Sequence, residues 1–383
     1  MPPSLKVAVV LGARPNVVKH YAFSRASKSR NINLVTLHTG QHFAPEMFTN
    51  IFLELGIPLP DYTFQRQNST FSDEFPQLLE FIETTLAAES PDVTVVYGDV
   101  TSSLAGATAS NALDIPVAHI ETGIHTNDLN NPEEINRRGV ELCAHTLFPH
   151  TKHAENVLLS EGYSKENVFL VGDIMKDALV NICSEHKIEP TDDGYLLVTF
   201  HRAENTDSPT RLRNICNALI RTENDIIFPV HPRTKQALER EGLWDTLQSN
   251  DHLTLLPPQS YIETIKLISK ASKVVSDSGG LRREAFMMGK AVVSLIELNW
   301  VPEMVDAGWE IIAGDDTNKI LEGIENFTPP KHQPVIFGNG QAAENIMDIL
   351  IERYSLQRLD QGKHVNEKCA PLSSLNVSST ETS

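Results

Sequence analysis

Lys273-Val274-Val275-Ser276-Asp277-Ser278-Gly279-Gly280, continuing as Leu281-Arg282-Arg283-Glu284-Ala285-Phe286-Met287-Met288-Gly289, decides the fold. An apolar strand runs without a spacer into a turn of small residues, and a helix follows at once. In doubly wound sheets, ligands bind beyond the carboxyl ends of the strands, where such turns lie. Gly279 and Gly280 at the helix start expose backbone N–H groups and let a diphosphate approach closely. Glu284, one turn further in, is placed to meet ribose hydroxyls. The bland alternative is a Gly-rich turn with no ligand.

The same strand–loop–helix pattern extends in both directions from this point. Apolar runs at Val7–Leu11, Asn33–His38, Asp92–Tyr97, Val117–Ile120 and Val168–Val171 lie on the amino-terminal side, and a second set follows. That set is Tyr195–Thr199, Asp225–Val230, Leu253–Leu255, Lys273–Ser276 and Ala291–Leu295. Segments with helical periodicity, such as Phe75–Ala88 and Ser260–Lys270, separate most of them. Short continuous strands alternating with helices indicate parallel sheets covered on both faces. At 383 residues the chain is too long for one ordinary core, so it reads as α/β with two doubly wound Rossmann-like domains and an interdomain cleft. The polar stretch Glu185–Gly194 carries Pro190 and Gly194 and reads as the hinge. The expected division is residues 1–184, hinge 185–194, residues 195–340, a closing helix over 341–359 and a mobile tail over 360–383.

Lys+Arg 32 against Asp+Glu 50 leaves a formal charge of −18, which argues against coating nucleic acid or an anionic membrane. An anionic small ligand is still admissible, because a few arginines and backbone N–H groups suffice to bind one. The start of the chain lacks a signal peptide's apolar core and cleavage site, and no stretch approaches the roughly 20 apolar residues of a membrane span. Cys143, Cys183, Cys216 and Cys369 form no CxxC pair, so no zinc knuckle or disulfide framework is expected and a reduced cytoplasm is the simplest setting.

The other strand ends carry the remaining chemistry. Gly12-Ala13-Arg14-Pro15-Asn16, with Lys19 a turn later, is no GxGxxG, so it gives a dinucleotide site little support. Arg and Lys at a helix start suit a phosphate, or simply a solvated helix end. Asp99 follows Asp92–Tyr97, and Glu121 follows Val117–Ile120. Glu133 and Glu134 follow Pro132 at an expected helix start. A helix cap or a favourable dipole contact would explain each one alone. Gathered in one cleft, Asp99, Glu121 and Glu133 could shift one another's pKa and supply both a base and an acid. His201-Arg202, after Tyr195–Thr199, suits a phosphate clamp or proton carrier, or is an ordinary surface pair. His231 follows the next strand in a weaker version of the same pattern.

Together these segments resemble the non-hydrolysing UDP-N-acetylglucosamine 2-epimerase family, whose fold is the glycosyltransferase-B (GT-B) type. The matching stretches are Gly12–Lys19, Thr39–His42, Gly98–Ser103, His119–Gly123, Asn131–Arg137 and Val171–Asp173. They continue through His201–Asn205, Val230–Pro232, Asp277–Ala285 and Pro302–Gly308. The resemblance implies that Asp99, Glu121, Glu133 and His201 are catalytic. It implies that Arg14, Lys19, Gln41, His231, Ser278, Gly279, Gly280 and Glu284 bind the nucleotide sugar. It further implies elimination of UDP across C1–C2 and its re-addition with inversion at C2, with no nicotinamide or metal, in a homodimer. The chain departs from the family pattern at Asn16, His125, Thr264, Arg283 and Val301. Those changes keep three rivals in play on the same scaffold: glycosyl transfer from a UDP-sugar, a hydrolysing epimerase, and a non-catalytic nucleotide-sugar sensor.

Overall fold

The computed structural model describes residues 4–40, 45–65 and 71–355. Two six-stranded parallel sheets form its framework. The first holds β1 (Lys6–Leu11), β2 (Asn33–His38), β3 (Tyr62–Thr63), β4 (Val93–Tyr97), β5 (Val117–Thr122) and β6 (Thr146–Pro149). The second holds β7 (Leu196–Thr199), β8 (Ile226–Pro229), β9 (Leu253–Leu256), β10 (Lys273–Ser276), β11 (Ala291–Ser294) and β12 (Glu310–Ile312).

The strand orders are β3-β2-β1-β4-β5-β6 and β12-β11-β10-β7-β8-β9. Renumbered within its own half, the second sheet repeats the order of the first, so both are Rossmann-like. Each reverses direction once, between β1 and β4 and between β7 and β10, and a crevice opens at that switch point. The central strands are buried on both faces; Val7, Val9, Val95, Val274 and Val292 are fully enclosed. Helices cover them on either side, as the run of β-branched residues requires.

Three strands fall outside the sequence expectation, and all are short: β3, β6 and β12. β3 and β12 lie at sheet edges, where a strand has few neighbours to demand an apolar pattern. Val168–Val171, expected as a strand, is not one. It makes a single bridge, Val168 to Leu147, because β6 already occupies that edge.

Helix Ile174–His186 ends on Lys187 in the left-handed region (φ 53°). The chain then binds the second domain through Thr191 N to Ser269 O and Asp193 N to Lys270 O, each 2.8 Å. The closing helix, Ala342–Tyr354, packs back on the first domain against helices Arg14–Ser29 and Ile174–His186. Arg30 grips Asp348 there with bonds of 2.9 and 3.2 Å, and Ala343 N donates to the buried Asp177 at 2.7 Å. The return segment crosses Gly172 so closely that a Cβ there would lie 2.9 Å from Phe337 O. No described helix is long and apolar enough to cross a membrane. Cys143, Cys183 and Cys216 are free thiols. Cys369 and the tail 360–383 lie outside the described residues.

Candidate functional site

The chemistry gathers where the two switch points face each other. In the first domain, β1 leads through Gly12 into helix Arg14–Ser29. Asn16 Oδ1 accepts from Gly12 N and Ala13 N at 3.1 and 3.0 Å, so this side chain already fills the backbone donors of the turn. Arg14 instead reaches across the cleft, its Nη2 donating to Gln259 O at 3.3 Å. Lys19, only 4% exposed, points inward and pairs with Glu121.

Glu121 stands at a break in register between β5 and β6, with φ of +70°. The left-handed region costs a non-glycine residue roughly 1–2 kcal/mol and persists where the surroundings enforce it, commonly at functional sites. Here the enforcement is visible. Lys19 takes one carboxylate oxygen, and Arg283 of the second domain donates to the other at 3.0 Å. Burial would raise the Glu121 pKa, but Arg283, Lys19 and His150 outweigh it and hold the carboxyl far below its usual range. The following residue but one, Gly123 (φ +76°), has no room for a side chain: a Cβ would sit 2.2 Å from Ala154 O.

Asp99 follows β4 and is pinned by the helix Pro132–Cys143. Arg137 forms an ion pair with its carboxylate, and Asn136 Nδ2 donates to its carbonyl at 2.9 Å. Asn131 caps that helix by accepting from Glu133 N at 3.0 Å. The two glutamates then part company. Glu134 is buried and builds the preceding loop, accepting from Thr126 N at 2.9 Å and from Arg138 at 2.7 Å. Glu133 keeps an exposed edge. The protein packed around it and the Asp99 carboxylate raise its pKa, against the pull of Arg202 and Arg137. Arg202 belongs to the second domain, so Glu133 and Asp99 face the opposing switch point.

Across the cleft the buried Asp277 organises everything. Its carboxylate accepts from His201 N at 3.0 Å, Arg202 N at 2.9 Å and Asn205 Nδ2 at 3.0 Å, fastening the end of β7 to that of β10. His201 and His231 lie with ring centroids 5.0 Å apart. Burial lowers both pKa values; Asp277 opposes this at His201, and His201 reinforces it at His231. His231 Nδ1 also caps helix Pro232–Arg240 through Arg233 N at 3.2 Å. Arg202 stacks its guanidinium 3.9 Å from the Trp300 ring, which lies beside Gly279. Ser278 caps helix Gly279–Met287, and Gly279 and Gly280 form its first turn, N–H groups toward the cleft. Glu284 sits deeper than the sequence suggests. It is 4% exposed and accepts from Tyr261 Oη at 2.7 Å; burial raises its pKa to about 7 despite Tyr261 and Arg283. Gln41 lies outside the described residues.

The departures have physical consequences of their own. His125 bridges Glu141 (2.6 Å) and Glu161 (2.9 Å); burial lowers its pKa, but those carboxylates overcome this and raise it. Thr264 turns its hydroxyl onto Ser260 O at 2.7 Å, and Val301 is buried ahead of helix Pro302–Asp306. Sequence reasoning did not single out Arg137, Asp173, Asp277 or His150. Arg137, Asp173 and Asp277 lie inside the stretches NPEEINR, VGD and DSGG, so their neighbours marked them. His150 carried no signal: it is a buried ring stacked 6.0 Å from Phe337, its pKa lowered to about 4 by burial.

Comparison with known proteins places the chain in a family. Residues 24–351 match the UDP-N-acetylglucosamine 2-epimerase family. A UDP-N-acetylglucosamine 2-epimerase homolog from Methanococcus maripaludis is 37% identical over 357 residues, 90% of this chain and 99% of its own. The Pseudomonas aeruginosa UDP-2,3-diacetamido-2,3-dideoxy-D-glucuronate 2-epimerase is 34% identical over 359 residues, 90% and 99% of the two chains. The crystal structure of the Methanocaldococcus jannaschii UDP-GlcNAc 2-epimerase with UDP-GlcNAc and UDP superposes with a TM-score of 0.81 at 34% identity, over 91% of this chain and all of that one.

Proposed function

This chain belongs to the UDP-N-acetylglucosamine 2-epimerase family, and from that premise we propose that it interconverts a UDP-N-acetylhexosamine and its C2 epimer by eliminating and re-adding UDP. One observation carries the reading. Glu121, its carboxyl held below the usual range, and Glu133, its pKa raised, stand with Asp99 opposite a Gly-Gly helix start flanked by Arg202 and His201.

A sugar C2–H is not adjacent to a carbonyl, so loss of the C1 diphosphate must build positive charge at C1 before the proton leaves. Glu121, held as a carboxylate, is suited to face that charge, and preorganised anions act most strongly in a site closed to water. The departing diphosphate meets the N–H groups of Gly279 and Gly280, with Arg14 and Arg202 nearby. Breaking the C1–O bond releases UDP; the C2–H electron pair then forms the C1=C2 bond of a glycal, and its proton passes to a carboxylate. Glu133, its pKa raised toward the working range, fits as a proton carrier, with Asp99 beside it as partner on the return. Protonation of C2 from the opposite face and attack of UDP on C1 restore the nucleotide sugar in inverted form. Buried Glu284 and Tyr261 would complete the nucleotide's ribose pocket.

Phosphorus NMR of a reaction with UDP-N-acetylglucosamine tests the overall conversion. One UDP-sugar should give a second while their sum stays constant. Steady accumulation of UDP would instead favour the hydrolysing enzyme or, with an acceptor present, glycosyl transfer.

A further inference from the structure

Arg283 lies on the helix that begins with the Gly279-Gly280 turn, yet its side chain leaves the second domain. Nη1 donates to Asp173 at 2.7 Å, Nη2 to Glu121 at 3.0 Å, and Nε to Gly279 O at 3.3 Å. One planar guanidinium thus touches the glycine turn of the second domain and two carboxylates of the first, the buried Asp173 and the partly buried Glu121. Asp173 is committed as well, because its other oxygen caps helix Ile174–His186 through Met175 N at 2.9 Å. The arrangement has little freedom: turn, arginine, Glu121 and Lys19 form one chain of contacts across the cleft.

We infer that Arg283 is a positioning residue, which ties Glu121 to the diphosphate turn across the cleft and fixes that carboxylate in its charged form. This rests on the epimerase reading for its place in the reaction, but its physical content stands apart from turnover. Around Glu121, the groups that face it are Lys19 from the first helix, Arg283 from the second domain and His150 after β6. Around Arg283 stand Asp173, Glu121 and Glu284; around His150 stand Asp173, Arg283, Glu121 and Glu303; Glu133 also feels Glu121. Burial keeps His150 neutral near pH 7, so Lys19 and Arg283 are the cations that act on Glu121 there. A lysine at 283 would supply a point charge but not the fork that spans Gly279, Asp173 and Glu121 together.

The test reads Glu121 directly. In ligand-free full-length protein carrying ¹³C-carboxyl glutamate, the Glu121 resonance is the one missing from E121Q. In the parent protein it should remain at the ionised position throughout the folded acid range. In R283Q it should titrate, its pKa raised by about one to three units, as expected when an opposite charge a few Å away is removed. R283K should fall between the two. D173N serves as control for loosened packing, because it leaves Arg283 in place, and it should leave Glu121 ionised. If Glu121 of R283Q stays ionised as in the parent, or if D173N shifts it equally, the inference is overturned. In turnover, R283Q should move the acidic limb of kcat upward while KM holds. Absence of turnover in the parent protein would instead refute the epimerase reading, and the resonance would still decide the role of Arg283.

Discussion

Replacing Glu121 with glutamine tests the centre of the site. The variant keeps shape and backbone strain but leaves Lys19 and Arg283, 4% and 8% exposed, facing a neutral amide. Removing one partner of a buried ion pair costs about 3–5 kcal/mol, because the remaining charge stays desolvated. Arg283 retains Asp173 at 2.7 Å and the amide oxygen can still accept one bond, so the lower end, about 3 kcal/mol, applies. Against a total stability of about 5–15 kcal/mol this is a large fraction. Urea unfolding at pH 7, followed by tryptophan fluorescence, would report it as a lower midpoint at an unchanged m-value. Adding Lys19→Met should recover part of the loss, since the stranded ammonium is gone. A loss below about 1 kcal/mol in E121Q would refute the idea that these charges enforce one another. The strain can be separated from the charge. E121G should be more stable than E121A by about 1 kcal/mol, because only glycine takes φ near +70° without cost.

Three further outcomes follow from the same geometry. Asp99→Asn should abolish exchange at C2 while UDP binding, measured by calorimetry, persists; loss of binding instead would show that Asp99 is a nucleotide contact. Gly123→Ala should destabilise strongly, by at least about 3 kcal/mol, because its Cβ would meet Ala154 O at 2.2 Å and its φ is +76°; a near-neutral melt would contradict that packing. Glu284 has a folded pKa of about 7, raised by burial, so it stabilises when protonated and that stability is lost as pH rises through 7. The stability of the parent protein relative to E284Q should therefore fall by up to about 3 kcal/mol between pH 4.5 and 8, and a flat difference would refute it.

Most of the fold was legible because buried parallel strands are short apolar runs that end abruptly in turn residues, as at Val274–Gly280. The edges were not: Tyr62–Thr63 is too brief to show a period, and Val168–Val171 has a strand's composition without a free partner. Among the candidate site residues, Asp99, Glu121 and His201 stood out because they close or follow apolar runs, and Glu133 because it follows Pro132 at a helix start. Their partners did not. Asp173 stood only as the end of the matching stretch Val171–Asp173, and the folded chain shows it capping a helix with one oxygen and meeting Arg283 with the other. Arg283 was visible only as a departure from the family pattern, because a contact across two domains leaves no spacing in the sequence. Asn16 shows the reverse: a helix start that suits a phosphate has part of its donor set occupied by its own side chain.

Solvent exchange at C2 reaches the central claim most directly. With UDP-N-acetylglucosamine in deuterated water and no added cofactor, proton NMR should show deuterium entering C2 as a second UDP-sugar accumulates, and neither change in E121Q. Turnover of the substrate with the C2 proton fully retained would contradict elimination and re-addition of UDP by these carboxylates.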